Sequence, residues 1–283
     1  MNTDHPIPAA KIAILGAGHL AEALLEGLIA TGVAPHQFKV AAPRAANLQR
    51  LATRFAVATS PNNADTVADA DWVFLAMRPN QLYQALAQTQ NGLRSKLVIS
   101  ALASVSLAQL EALLPASQLI RIMTNLGIAH LCGYTAICAS QTTSAPNSSD
   151  LHSLHTMLSR LGTADQLHEP LLAPVTALAG SGPGFLFDFL DSLVQAAAKT
   201  GLSQAQAQNM MLSVLQSCTR LLQNTPDAAQ LRDRVATQGG VTERGLKEFA
   251  RFKLAEASQA ALTAACTKAQ DTPLKPPNGN PQQ

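Results

Sequence analysis

Near its start the chain carries Gly16, Gly18 and Ala21 in a G-x-G-x-x-A spacing. A short apolar, β-branched run from Lys11 precedes them, and an amphipathic stretch that stops near Gly32 follows. The physical reading is a buried strand, a tight glycine turn and a helix whose N-terminus is left open. Gly16 makes the turn, Gly18 leaves backbone bare for close approach, and the small Ala21 lets the helix pack on the strand. The free N–H groups and dipole of such a helix favour an anion. In this context the spacing predicts a dinucleotide pyrophosphate; an ordinary tight βα turn carries the same letters.

Further residues with chemical capacity fall at the ends of the later apolar runs. The second strand ends in Ala42-Pro43-Arg44, with no acid to hold ribose hydroxyls. Arg44 can grip a 2′-phosphate bidentately, which favours NADPH over NADH, or it can be a plain surface arginine. In a parallel sheet, ligands collect at the carboxyl ends of strands. Those ends supply Met77-Arg78-Pro79, Ser100–Ser104 and Met123-Thr124-Asn125. Arg78 can meet phosphate or ribose, and Asn125 can bond the nicotinamide ribose or amide; each also suits a surface or capping role. Two glycine-rich breaks, Ala179–Gly184 and Ala236–Thr242, precede helices and so present unpaired N–H groups to a carboxylate. Each is equally readable as a capped helix–helix connection.

Some chemistry is missing. From Leu161 to Ala198 there is no Lys or Arg, and His152, His155 and His168 stand in no recognisable constellation. Oxidation of a hydroxy acid needs a general base for the hydroxyl proton. Reduction of a C=N bond is less demanding, because the nitrogen can be protonated before hydride arrives. A positioned hydroxyl and an anion cradle then suffice. No Ser/His/Asp arrangement or metal cluster emerges, and the four cysteines show no zinc-like spacing.

The elements that must position these residues alternate. Apolar runs at 12–15, 37–42, 55–59, 71–77, 96–102, 118–123 and 133–138 read as strands. Helical patterns lie at 48–54, 62–70, 81–90, 107–114 and 150–161, with a polar loop over 140–149. This predicts an α/β Rossmann-like domain with a doubly wound parallel sheet over 1–168. An all-α domain follows over 169–283, in segments near 171–178, 183–200, 203–224, 226–236, 242–250 and 254–270, with a disordered tail from about 272. Several of these helices are rich in Ala and Leu, which suits burial against a second copy of the chain, so a homodimer or higher homo-oligomer is expected.

Composition narrows the classes. The 283 residues are 47% hydrophobic, 13% charged and 4% aromatic, with net charge +2. That is enough to bury a large core, and it leaves no electrostatic or stacking footprint for nucleic acid. No apolar run reads as long and clean enough to span a bilayer, and the polar first ten residues are unlike a signal peptide. Unpatterned cysteines fit a reducing cytoplasm, with Cys132 and Cys138 in or beside a buried strand.

The motifs, in order, resemble those of the pyrroline-5-carboxylate reductase family from about Lys11 to Ala269. Gly16–Ala23 is similar to the family's glycine turn, with His19-Leu20 where Asn-Met is usual. Phe74–Pro79 resembles L-A-V-K-P with Arg78 at the lysine position, and Ile120–Asn125 resembles R-x-M-P/T-N. The most specific likeness is Val175–Gly184 to V-T-A-L-S-G-S-G-P-A. Val235–Leu246 is similar to V-T-S-P-G-G-T-T-x-x-G-L, with Thr237-Gln238 where Ser-Pro is usual. The resemblance implies a Rossmann domain followed by a helical dimerisation domain, and NAD(P)H-dependent reduction of 1-pyrroline-5-carboxylate to L-proline. It implies cofactor contacts at Gly18, His19, Leu20, Asn63, Ala76, Arg78 and Pro79. The substrate carboxylate would lie on the amides of Gly239, Gly240 and Val241, beside Thr237, with the Thr242 hydroxyl on the imine nitrogen. Helices of a partner subunit would complete the site. The departure at Thr237-Gln238 keeps two alternatives open: a related cyclic imine as substrate, or a non-catalytic dinucleotide-binding regulatory member.

Overall fold

The computed structural model describes residues 10–270; the expected tail beyond about 272 lies outside them. Strands β1 (Ile12–Leu15), β2 (Phe38–Ala41), β3 (Ala58–Ser60), β4 (Trp72–Leu75), β5 (Leu97–Ser100), β6 (Gln118–Thr124), β7 (Gly133–Ala139) and β8 (Gly162–Gln166) form one sheet in the order β3-β2-β1-β4-β5-β6-β7-β8. Helices α1 (His19–Ala30), α2 (Ala45–Phe55), α3 (Asn63–Val67), α4 (Leu82–Thr89), α5 (Leu107–Leu113) and α6 (Ser148–Ser159) connect them. Because side chains alternate across a strand, the apolar runs feed two cores. Ile12, Ile14, Trp72, Phe74, Leu97 and Ile99 pack in one buried cluster with Leu24, Leu25 and Leu28 of α1. Ala13, Leu15, Val73, Leu75 and Val98 pack in the other with Leu82, Leu86 and Leu110.

All pairings are parallel except β6–β7, which is antiparallel. The connection Asn125–Cys132 holds only a 3-10 turn over Leu126–His130. A parallel crossover needs roughly a dozen residues or more, so this link can only reverse the chain. β8 was not expected: Gly162–Gln166 is largely exposed and carries little apolar signal. Its entry depends on Gly162 at φ +139, where a Cβ would stand 2.0 Å from the Gly133 carbonyl oxygen.

At two boundaries the departure from expectation has an identifiable cause, one in a neighbouring helix and one local. Residues 55–57 were expected in the third strand, but α2 runs through Phe55 and stops at left-handed Ala56. The Arg54 guanidinium holds that last turn by pairing with Glu22 and, at 2.8 Å, Glu26 of α1. α6 begins inside the expected 140–149 loop because the Asn147 side chain accepts from the Asp150 N–H at 2.7 Å.

The described chain divides into two compact units: one running to Gly180 together with the residues from Ala265, the other Ser181–Ala264. After α7 (Leu172–Val175) the chain winds through one π-helical turn, Thr176–Gly180. It continues as α8 (Gly182–Ala198), α9 (Gln204–Asn224), α10 (Ala228–Val235), α11 (Val241–Arg251) and α12 (Leu254–Gln270). The second unit has almost no interior. Within Ser181–Ala264 only Val194 and Ala207 are buried apolar residues, while Phe187, Met210, Leu212, Val214 and Val235 are exposed. Contrary to expectation, one helical stretch among the described residues, Glu169–Ala198, is long and apolar enough to cross a bilayer by length and composition, with mean hydropathy 1.3 over an 18-residue window. Pro170 and Pro174 lie in its first turns, and the π-helical turn Thr176–Gly180 interrupts its α-helical geometry.

Candidate active site

In the sheet order the connections reverse direction between β1 and β4, the switch point where open α/β sheets bind ligands. The glycine turn sits there. Gly16 lies at φ +119, and a Cβ on it would be 2.5 Å from the Ala76 carbonyl oxygen. Its N–H donates to the Ala41 carbonyl at 2.8 Å, and Ala76 N–H donates to the Leu15 carbonyl at 2.9 Å. Only a residue without a side chain fits between the ends of β2 and β4. Gly18 is the N-cap of α1, with no side chain capping the helix and no atom within 4 Å of a virtual Cβ. An uncapped helix start with open space before it has the chemistry of an anion site. His19 is exposed and Leu20 half-buried against the core.

Glu22, in the first turn of α1, would oppose an anion if its charge were uncompensated. Arg50 and Arg54 both pair with it. Burial pushes its carboxyl up, but the hydrogen bonds and charges of the two arginines outweigh that and hold it below the usual carboxylate range. Sequence reasoning missed this pairing, which bridges α1 and α2 at a separation no local pattern shows.

Arg44 is the exposed N-cap residue of α2, just past β2, and enters no ion pair among the described residues. The α3 cap is Asn62, whose Oδ1 accepts from Ala64 N–H at 2.8 Å and Asp65 N–H at 3.2 Å. Asn63 is thereby left as the half-buried first residue of that helix, beyond β3. Beyond β4, Ala76 lies beside Gly16, and Arg78 is exposed with its backbone N–H donating to Gln81 Oε1 at 3.1 Å. Pro79 then starts a short 3-10 turn. Asn125, beyond β6, is occupied at both ends of its amide. Its Oδ1 accepts from Gly127 N–H at 3.1 Å, and its Nδ2 donates to the Ala179 carbonyl at 3.0 Å. In the loop after β5, Ser104 sits at φ +66, a left-handed conformation rare outside glycine that the sequence does not signal.

The two glycine-rich breaks behave differently. Both precede a helix as expected, α8 and α11, but the chain enters those helices in different ways. Ala179–Gly184 passes from the π-helical turn into α8 with Ser181 still at helical dihedrals, so it is a bulge in a nearly continuous helix. Ala236–Thr242 is a true break. Gly239 turns at φ +74, Gly240 is the N-cap of α11 without a side-chain cap, and Val241 is 94% exposed. The Gly240 N–H donates to the Thr237 carbonyl at 2.9 Å, and a Cβ on Gly240 would meet Thr237 Oγ1 at 2.5 Å. Sequence reasoning missed Glu243, whose Oε2 accepts from the Gly239 N–H at 2.6 Å. Thr242 lines an apolar cleft of about 310 Å³ with Cys218, Leu221, Leu231, Arg232 and Val235.

Comparison with known proteins gives these two halves a common setting. The profile "Pyrroline-5-carboxylate reductase dimerisation" matches residues 169–272, and "NADP oxidoreductase coenzyme F420-dependent" matches residues 11–104. The chain is similar to a pyrroline-5-carboxylate reductase of Pseudomonas aeruginosa, 33% identical over 90% of this chain and 94% of that one. It is 30% identical to that of Synechocystis, over 92% of this chain and 97% of the other. Among solved structures, a pyrroline-5-carboxylate reductase of Coxiella burnetii superposes with TM-score 0.81 at 27% identity, over 93% of this chain and 98% of the other. The Plasmodium falciparum pyrroline carboxylate reductase, solved with NADP bound, shares the fold with TM-score 0.86 at 21% identity, over 94% and 98%. A Rossmann-like sheet with a bare glycine turn, a helical region matching a dimerisation module, and full-length relatives place the chain in one group: it belongs to the pyrroline-5-carboxylate reductase family.

Proposed function

We propose that the protein reduces 1-pyrroline-5-carboxylate to L-proline with NADPH, with NADH as an alternative donor. The observation that carries this reading is the start of α11. An uncapped helix opens on Gly239-Gly240 with a hydroxyl, Thr242, in its first turn. The named activity of the full-length relatives supports the substrate, and the NADP-bound Plasmodium structure supports the cofactor.

When bound, the nicotinamide supplies the hydride that reduces C5 of the imine. The chain's own part is positional and electrostatic. Gly16, Gly18, His19 and Leu20 present the turn and the open end of α1 to the pyrophosphate. Arg44 offers its guanidinium fork to the 2′-phosphate, and Asn63 lies on the same side of the sheet order, beyond β3. Ala76, Arg78 and Pro79 flank the crevice at the end of β4. Asn125 keeps one Nδ2–H beyond the one used on Ala179, enough for a single bond to the nicotinamide side. The substrate carboxylate is assigned to the Gly239, Gly240 and Val241 amides beside Thr237, where it must take the first from Glu243 and the second from the Thr237 carbonyl. Thr242 Oγ1 hydrogen-bonds the ring nitrogen and holds a proton there as the C=N π pair moves onto nitrogen. No strongly basic side chain is required.

In this reading 1–168 is the dinucleotide-binding domain and 169–283 the substrate and dimerisation domain. A homodimer or higher homo-oligomer covers the exposed apolar faces of α8 and α9, which are too extensive for a free surface. Four free cysteines fit a reducing cytoplasm. The test is oxidation of NADPH, or NADH, by the purified full chain with 1-pyrroline-5-carboxylate; folded protein without turnover overturns the proposal. A six-membered cyclic imine carboxylate is the second reading, favoured by Gln238 where the family has proline, which restores a backbone N–H and loosens φ. A higher kcat/KM on that ring in the same assay selects it.

A further inference from the structure

The amide that the proposed function gives to the substrate carboxylate already holds one. At φ +74 Gly239 turns its N–H toward α11, where Glu243 Oε2 accepts it at 2.6 Å. The other oxygen, Oε1, pairs with Lys247 Nζ at 2.8 Å one turn further along the same helix. Glu243 is therefore a bridging carboxylate with one oxygen on the loop and one on a lysine. The hydrogen bond from Lys247, then that from the Gly239 amide, hold it below the usual carboxylate range, which favours its charged form. This contact is not the usual capping box, in which the third helical residue reaches back to the N-cap N–H. The N-cap here is Gly240, whose N–H instead donates to the Thr237 carbonyl. Glu243 reaches one residue further, to the amide before it.

We propose that Glu243 is an internal competitor for the substrate carboxylate at Gly239 and thereby sets substrate affinity, an inference that rests on the assignment of that loop to the carboxylate. A substrate carboxylate reaching the Gly239 amide must displace Glu243 Oε2 and then stand beside a second negative charge. Lys247 makes the exchange feasible, because the released Glu243 carboxylate keeps its partner on the helix. The arrangement weakens binding of any ligand that carries a carboxylate, product as well as substrate, and leaves a ligand without one unaffected.

The test uses the full-length protein and the variants Glu243→Gln and Lys247→Gln. Glu243→Gln keeps an acceptor oxygen for Gly239 and removes the charge. The KM for 1-pyrroline-5-carboxylate is expected to fall about three- to tenfold, with kcat changed less than twofold. The dissociation constant of L-proline, measured by equilibrium titration, falls by a similar factor, whereas that of L-prolinamide does not move. Lys247→Gln strips the counter-charge and raises KM. Should Glu243→Gln leave KM and the L-proline constant unchanged, or raise them, Glu243 only braces the loop and the inference is overturned. A Glu243→Gln effect on L-prolinamide equal to that on L-proline overturns it too. Wild-type protein that turns over while these constants stay fixed leaves the proposed function standing. A wild-type protein without turnover removes both.

Discussion

Gly16→Ala places a methyl group where the end of β4 already stands. The virtual Cβ lies 2.5 Å from the Ala76 carbonyl oxygen, 2.6 Å from its carbon and 2.8 Å from Met77 N. All three are backbone atoms, which cannot swing aside as a side-chain tip would. A non-glycine residue held at φ +119 adds roughly 1–3 kcal/mol of dihedral strain. Forcing an extra methyl into a filled space adds about 1–3 kcal/mol more. The expected loss is about 2–6 kcal/mol, read as a fall in the denaturant midpoint of the sheet-containing unit. Gly18→Ala is the matched control. Its φ is −88, and nothing lies within 4 Å of the new methyl, so its stability should stay within about 0.5 kcal/mol of wild type. That methyl projects toward the proposed pyrophosphate position, so NADPH affinity measured by fluorescence titration should fall by about tenfold or more. If Gly16→Ala is no less stable than Gly18→Ala, the close approach to β4 is wrong. If Gly18→Ala binds NADPH as wild type does, the open end of α1 is not the phosphate site.

Thr242→Ala should lower kcat/KM for 1-pyrroline-5-carboxylate by roughly ten- to a hundredfold, the worth of one hydrogen bond to a charged group, with Thr242→Ser largely restoring it. Unchanged turnover in the alanine variant would remove the hydroxyl from the mechanism. Arg44→Ala should raise the KM for NADPH about tenfold and leave that for NADH within twofold; equal changes for both cofactors refute the 2′-phosphate contact. Burial, with the nearby Glu169 charge, pushes the Cys138 thiol up to about 11, so iodoacetamide near neutral pH should spare it while alkylating exposed Cys132. Mass spectrometry of native and unfolded protein reads this directly, and equal labelling in the native state would place Cys138 outside the core.

Where one stretch of chain dictated its own geometry, the sequence was enough. The apolar runs through 12–15 and 72–75, the glycine turn after the first of them and the Gly239-Gly240 helix start were all legible from residue type and spacing. What escaped notice needs a partner from elsewhere. β8 is a strand because Gly162 can lie against Gly133, which no pattern within Gly162–Gln166 announces. The length of α2 depends on Arg54 reaching Glu22 and Glu26 in another helix. Asn125 illustrates the reverse problem: its position beyond β6 was readable, but its engagement with Gly127 and Ala179 was not. Glu243 sits only four residues from Gly239, yet its effect on that amide depends on a left-handed turn that composition alone does not distinguish from an ordinary cap.

The β6–β7 hairpin has a kinetic consequence. Every other neighbouring pair in the sheet is parallel and is joined through an intervening helix or a longer crossover. The cost of closing a loop grows with its length, by about 0.6 kcal/mol for each doubling. β6 and β7 therefore meet first, held by the Thr124 and Thr135 hydroxyls at 2.8 Å as well as the ladder. β5 and β8 can then add to the two sides of an existing template. The β1–β2 and β2–β3 crossovers are comparable in length with those before β6 and β8, whereas β1 and β4 pair only across the whole of residues 16–71. By loop length alone the central β1–β4 pair, at the point where the strand order reverses, is the costliest in the sheet to close, so the first strand made is joined to the rest of the sheet by its longest loop.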